Sequence, residues 1–178
     1  VATKITTKPL LYEGKAYKPI AIHHHMLLGL QKPPTWPFPK EKLSELWAQV
    51  KMSKSIGKSS IFVDDSPEEI KEKVYSAFCF EGEVDFNPLL DWAKHLIFID
   101  DKSELTVERK FAPPITFYRF EDLKNAFAKK EVHPLDLKNA MASKLIEILE
   151  PVRKQLKKPS ILKLREEIEE ILFKKEGK

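Results

Sequence analysis

The sequence predicts a chain of two unlike parts: an α/β segment over residues 1–64, then a mostly α-helical region with a short β-hairpin over residues 65–178. Three observations predict it. A short apolar run after a proline, Lys18-Pro19-Ile20-Ala21-Ile22-His23, has the length and composition of a buried strand. From Ser66 onward, apolar residues recur at helical spacing behind serine, asparagine and proline start signals. Between two of those stretches, Leu105 to Glu108 and Ile115 to Tyr118 alternate apolar and polar residues, the period of a half-buried strand.

Taken in order, the strand ending at His23 leads into Met26-Leu27-Leu28-Gly29-Leu30, which reads as an apolar turn. Prolines crowd residues 32–40, and their fixed φ and missing amides exclude regular structure there. Leu43, Leu46, Trp47 and Val50 have helical spacing and predict a short helix that leads into a Lys/Ser loop. Ser66-Pro67-Glu68-Glu69 is a capping box, with proline at the first helical position and an apolar face of Ile70, Val74, Ala77 and Phe78 behind it. Asn87-Pro88 starts a second helix, with Leu89, Ala93, Leu96 and Ile97 inward. The two alternating runs form a hairpin, with Pro113-Pro114 between them, and Phe120, Leu123 and Phe127 mark the next helix.

A longer helix begins near Pro134, with Leu137, Met141, Leu145, Ile148, Val152 and Leu156 on one stripe; Pro151 is expected to kink it or end it early. Lys157-Lys158-Pro159-Ser160 reads as a linker, and Ser160 as the cap of a last helix with Ile161, Leu164, Ile168, Ile171 and Leu172 inward.

Composition narrows the function classes. The 178 residues allow one or two small domains with a real core. A net charge of +4 favours an anionic partner. Cys79 is the single cysteine, which excludes an internal disulfide and fits a cytoplasmic protein. No apolar run is long enough to span a bilayer and no signal peptide is expected, so no membrane partner is expected either.

The strongest chemical signal is Lys51-Met52-Ser53-Lys54-Ser55. Lysine is a compact charge on a long flexible stem, suited to holding a triphosphate and meeting the charge of a departing pyrophosphate. Downstream come Ile61-Phe62-Val63-Asp64-Asp65-Ser66-Pro67-Glu68-Glu69-Ile70, then Ala77-Phe78-Cys79, Asn87-Pro88 and His133-Pro134-Leu135-Asp136-Leu137-Lys138-Asn139-Ala140. The five-residue string resembles the KMSKS signature of class I aminoacyl-tRNA synthetases. The whole order, from about Lys18 to about Leu156, resembles the C-terminal portion of tyrosyl-tRNA synthetases of the archaeal and eukaryotic type.

The resemblance carries several expectations. Residues 1–64 would be the C-terminal part of a Rossmann-type catalytic domain that ends in the KMSKS loop, and residues 65–178 a helical anticodon-binding domain. Lys51, Ser53, Lys54 and Ser55 would serve catalysis, with Lys54 the principal pyrophosphate contact. Val50 and Met52 would contact adenine through backbone groups, and His23 or His25 would line the ATP site. ATP is then a substrate, accompanied by Mg2+, and the activity is tyrosine–tRNA ligation. The partners are tyrosine tRNA, ATP and tyrosine, without DNA, and the parent enzyme is a homodimer. The class I signature His-Ile-Gly-His is not in the sequence, which opens with Val1. The chain therefore reads as a C-terminal portion that is inactive by itself.

His23-His24-His25 also raises a metal site. Alternate residues of a strand share a face, so only His23 and His25 would converge, and no acidic residue or cysteine flanks them. No protein-bound metal is expected from the sequence.

The second expected site reads the anticodon. The first anticodon base of tyrosine tRNA is guanine, whose Watson–Crick edge presents two adjacent N–H donors that one carboxylate can accept together. By the resemblance, Asp136 is that carboxylate, and Phe111 and His133 are the rings between which the base stacks. Taken alone, Asp136 could instead complement the amides at a helix start, and Phe111 could pack under its loop. Lys110, Lys129, Lys130, Lys138, Arg153, Lys154, Lys157 and Lys158 are candidates for phosphate attraction. Two other functions fit parts of the pattern: a tRNA-anticodon binder without catalysis, and a tryptophanyl-tRNA synthetase.

Overall fold

The computed structural model describes residues 10–12, 15–17, 22, 24–37, 50, 52 and 57–176. The expected strand over 18–23 and helix over 43–50 lie outside these residues, apart from Ile22 and Val50. Ile22 is exposed. Near the start, β1 (Leu10–Tyr12) and β2 (Lys15–Tyr17) pair as an antiparallel ribbon that the sequence reading did not anticipate.

From Ser66 onward the chain forms α1 (Pro67–Ser76), α2 (Pro88–Trp92), a wide π turn (Ala93–Ile97), β3 (Leu105–Arg109), β4 (Ala112–Phe117), α3 (Phe120–Ala128), α4 (Pro134–Leu156) and α5 (Pro159–Glu176). The two predicted caps form. Ser66 Oγ accepts from the Glu69 amide at 3.2 Å, and Glu69 returns a carboxylate oxygen to the Ser66 amide at 2.8 Å. Asn87 Oδ1 accepts from the amides of Leu89 and Leu90. These bonds satisfy amides that a helix start otherwise leaves open.

One core unites these elements. Ile70 and Val74 of α1, Leu89 and Trp92 of α2, Leu105 and Val107 of β3, Leu123 and Phe127 of α3, and Leu137, Met141 and Leu145 of α4 are all buried in it. Leu30, from the first part of the chain, joins the same cluster. Burying a side chain of this size contributes about 1.5–3 kcal/mol. Among the described residues, no helix is long and apolar enough to cross a membrane.

Three expectations need correction. Pro113 and Pro114 lie within β4, not in the turn; the turn falls at residues 110–111, where Arg109 pairs with Ala112. A two-stranded sheet is all edge, so a strand can present its proline nitrogens away from the partner. Pro151 does not end α4, which continues to Leu156. It removes one amide from the ladder. Near it, the buried Arg153 guanidinium donates to the Ile146 carbonyl and to Glu150, both at 2.7 Å. These contacts hold the turn together across the proline.

Finally, the apolar stripes of α4 and α5 are not wholly inward. Ile148 and Val152 are exposed, and so are Ile161, Leu164, Ile168, Ile171 and Leu172. Periodicity identifies a face but not whether anything covers it.

Candidate functional site

The described residues next to the Lys/Ser signature are Val50 and Met52; Lys51, Ser53, Lys54, Ser55 and His23 lie outside them. Val50 and Met52 are held by the segment Leu27–Leu30, expected as an apolar turn, which makes a bridge at Leu28 and bends at Leu30. The Gly29 amide donates to the Val50 carbonyl at 2.6 Å and the Met52 amide to the Leu27 carbonyl at 3.0 Å, the bond pattern of an antiparallel bridge. The Leu30 amide donates to the Ser59 carbonyl at 3.0 Å.

The segment is bonded as fully to the helical part. Asp91 Oδ2 accepts from the Leu28 amide at 2.9 Å, Trp92 Nε1 donates to the Leu28 carbonyl at 2.7 Å, and the Phe78 amide donates to the Leu30 carbonyl at 2.7 Å. Leu28 and Leu30 are buried. The base of the signature is thereby fastened to α2 through one strap. The sequence shows the apolar residues of that strap but not its bonds, because every partner is at least 20 residues away.

Met52 is partly exposed and lines a cavity of about 440 Å³ with His24, His25, Met26, Leu27, His95 and Leu96. Of the proposed ATP-site residues, His25 and Met52 thus share a cavity. The Val50 carbonyl and the Met52 amide are already engaged by the strap.

His25 also meets residues that the sequence reading did not connect with it. Its Nε2 lies 2.7 Å from Asp91 Oδ1, and His95 Nε2 lies 3.9 Å from the same oxygen. The two imidazoles stack with centroids 3.8 Å apart. Burial and the neighbouring His25 hold the His95 imidazole below its ordinary pKa, against the opposing pull of Asp91.

At the other end of the chain, His133 caps α4. Its Nδ1 accepts from the Leu135 amide at 3.1 Å, which places the ring proton of the neutral form on Nε2. Asp136 stands in the first turn of that helix, half-buried, and among the described residues no protein group bonds or pairs with its carboxylate. It does not close a capping box with His133.

Phe111 is 90% exposed at the tip of the β3–β4 hairpin, so it does not pack under its loop; Lys110 Nζ lies 5.0 Å from the ring centroid. Arg109, two residues before Phe111, donates to the Pro113 carbonyl at 2.8 Å and to the Glu131 carbonyl at 3.5 Å. Glu131 is two residues before His133, so this arginine ties the hairpin tip to the approach to α4. Val132 is wholly buried and fixes that approach in the core. Sequence reasoning did not single out Arg109; its place near the hairpin turn was a signal.

The family profile described as tRNA synthetases class I (W and Y) matches residues 22–150. The chain is similar to a tyrosine–tRNA ligase of Thermococcus sibiricus, 50% identical over 173 residues, covering 95% of this chain and 46% of the relative. It is also similar to the tyrosine–tRNA ligase of Pyrococcus abyssi, 51% identical over 156 residues, covering 86% of this chain and 42% of the relative. Among solved structures it resembles tyrosyl-tRNA synthetase of Pyrococcus horikoshii in complex with L-tyrosine, with a TM-score of 0.76 and 49% identity over 92% of this chain and 45% of that one. The Aeropyrum pernix tyrosyl-tRNA synthetase follows with a TM-score of 0.67 and 34% identity. The chain spans less than half the length of these curated relatives.

Proposed function

This chain belongs to the class I tRNA synthetase family of the tryptophan and tyrosine enzymes, and from that membership we propose that it forms part of a tyrosine–tRNA ligase. The observation that carries the choice of amino acid is identity near 50% to ligases named for tyrosine. On this reading residues 1–64 belong to the end of the catalytic domain and residues 65–178 form the anticodon-binding domain. The cytoplasm is the compartment.

In the first step of the reaction, tyrosine attacks the α-phosphate of ATP and pyrophosphate leaves. Lys51 and Lys54 meet the negative charge that gathers on the leaving group, and Ser53 and Ser55 hydrogen-bond its oxygens or brace the loop. Magnesium accompanies the ATP phosphates. The cavity beside Met52, lined by apolar side chains and imidazoles, suits a flat base better than a triphosphate.

In the second step the activated tyrosine passes to tRNA. Asp136 accepts the two adjacent donors of the first anticodon guanine, and that base stacks between Phe111 and His133. The unpartnered Asp136 carboxylate, the exposed Phe111 ring and the capping bond that orients His133 all support this assignment.

The test is pyrophosphate exchange by the whole ligase. Tyrosine should drive ATP–pyrophosphate exchange and tryptophan should not. Exchange driven by tryptophan alone would contradict the choice of tyrosine.

A further inference from the structure

We propose that His25, Asp91 and His95 bind one zinc-class divalent cation, which staples the Leu27–Leu30 strap to α2 and its π turn. The three residues offer ligand atoms that all lie within 4.8 Å of one another. Tetrahedral zinc, with bonds of about 2.0–2.2 Å, spaces its ligand atoms roughly 3.3 Å apart. The two nitrogen–oxygen separations, 2.7 and 3.9 Å, straddle that spacing. Binding all three atoms to one centre turns the two imidazoles, now stacked at an interplanar angle of 12°, out of their near-parallel arrangement. Two imidazoles and one carboxylate suit zinc; magnesium and calcium prefer all-oxygen shells.

The surroundings fit a built site. The Asp91 side chain is only 10% exposed, and its partners among the described residues are the two imidazoles and the Leu28 amide, with no lysine or arginine paired to it. The Leu28 amide holds the second carboxylate oxygen at 2.9 Å, the kind of outer contact that aims a metal ligand. His95 stands in the π turn, four residues after Asp91. Such turns recur where a helix must redirect a side chain. Cavities of about 440 and 350 Å³ adjoin both imidazoles, so a fourth position is open to water.

The consequence is mechanical. His25 lies 66 residues from Asp91, and a shared ion closes that long loop. The strap that it fixes carries the backbone bonds to Val50 and Met52. The inference is independent of the ligase reading, because metal uptake is measured without amino acid or tRNA.

The experiment titrates the purified, metal-free chain with zinc in competition with a chromophoric chelator. It then substitutes cobalt and records the visible spectrum. The wild type should take up one ion per chain with the intense bands of tetrahedral cobalt. His95→Gln and His25→Gln should each weaken uptake at least tenfold and lose those bands, with helical circular dichroism unchanged. Zinc should raise the Tm of the wild type and not that of either variant. The rival is adventitious chelation by the His23-His24-His25 run, which does not involve His95. Unchanged zinc affinity in His95→Gln, or no stoichiometric uptake by the wild type, overturns the proposal.

Discussion

Lys130 has a φ of +61°, a conformation that L residues other than asparagine and aspartate rarely adopt. It ends α3 in a paired-bond motif: its amide donates to the Phe127 carbonyl at 3.0 Å, and the Glu131 amide to the Ala126 carbonyl at 2.9 Å. The motif reverses the chain so that Val132 enters the core and His133 starts α4. Glycine carries no Cβ penalty there, so Lys130→Gly should stabilise the protein by about 1 kcal/mol in chemical denaturation. A loss of stability would mean that the exposed Lys130–Glu81 pair matters more than the backbone. At the signature, Lys54→Ala in the whole ligase should slow tyrosyl-adenylate formation by about two to three orders of magnitude. Tyrosine binding should change little, since the lost contact is to charge that grows in the transition state. Unaltered single-turnover adenylate formation would remove Lys54 from the pyrophosphate role.

Elements whose cause is local were legible in the sequence, and elements whose cause is remote were not. The α1 and α2 starts could be read because a cap and the amides that it satisfies lie within four residues. Ser66→Ala should therefore cost about 0.5–2 kcal/mol of stability, measured as a shift of the denaturation midpoint. The partner of that cap titrates. Hydrogen bonds from the Ser66 amide and hydroxyl hold the Glu69 carboxyl below its usual value. Its stabilising share is present above the unfolded carboxylate pKa and is lost as pH falls through the lower folded value. The stability difference between wild type and Glu69→Gln should accordingly shrink towards low pH. A difference that grew on acidification would contradict the capping-box account.

The same reading failed for α5, whose apolar stripe is regular but uncovered, and for the hairpin prolines, which the two-stranded edge tolerates. Pro151 does not end α4 early, and nearby the Arg153 side chain bonds the Ile146 carbonyl seven residues back along the helix.

At the scale of the molecule, the strap at Leu27–Leu30 joins the signature to the helical part, and one core takes residues from both. Candidate site residues stand in the sequence as letters: the signature lysines, His25, Phe111, His133 and Asp136. Their relations do not. Asp91 and His95 are remote from His25 in sequence, and Arg109 and Glu131, which join the hairpin tip to α4, are 22 residues apart.

Aminoacylation by the whole ligase shows whether Asp136 reads the first anticodon base. The wild type and Asp136→Ala should each be assayed on tyrosine tRNA and on the same tRNA with that guanine replaced. Losing a bidentate base contact should cost about 1–3 kcal/mol in kcat/KM on the normal tRNA. Adenylate formation should stay near wild type, and discrimination between the two tRNAs should collapse. If Asp136→Ala kept the wild-type preference for guanine, Asp136 would be a helix-start carboxylate and the anticodon reading would fall.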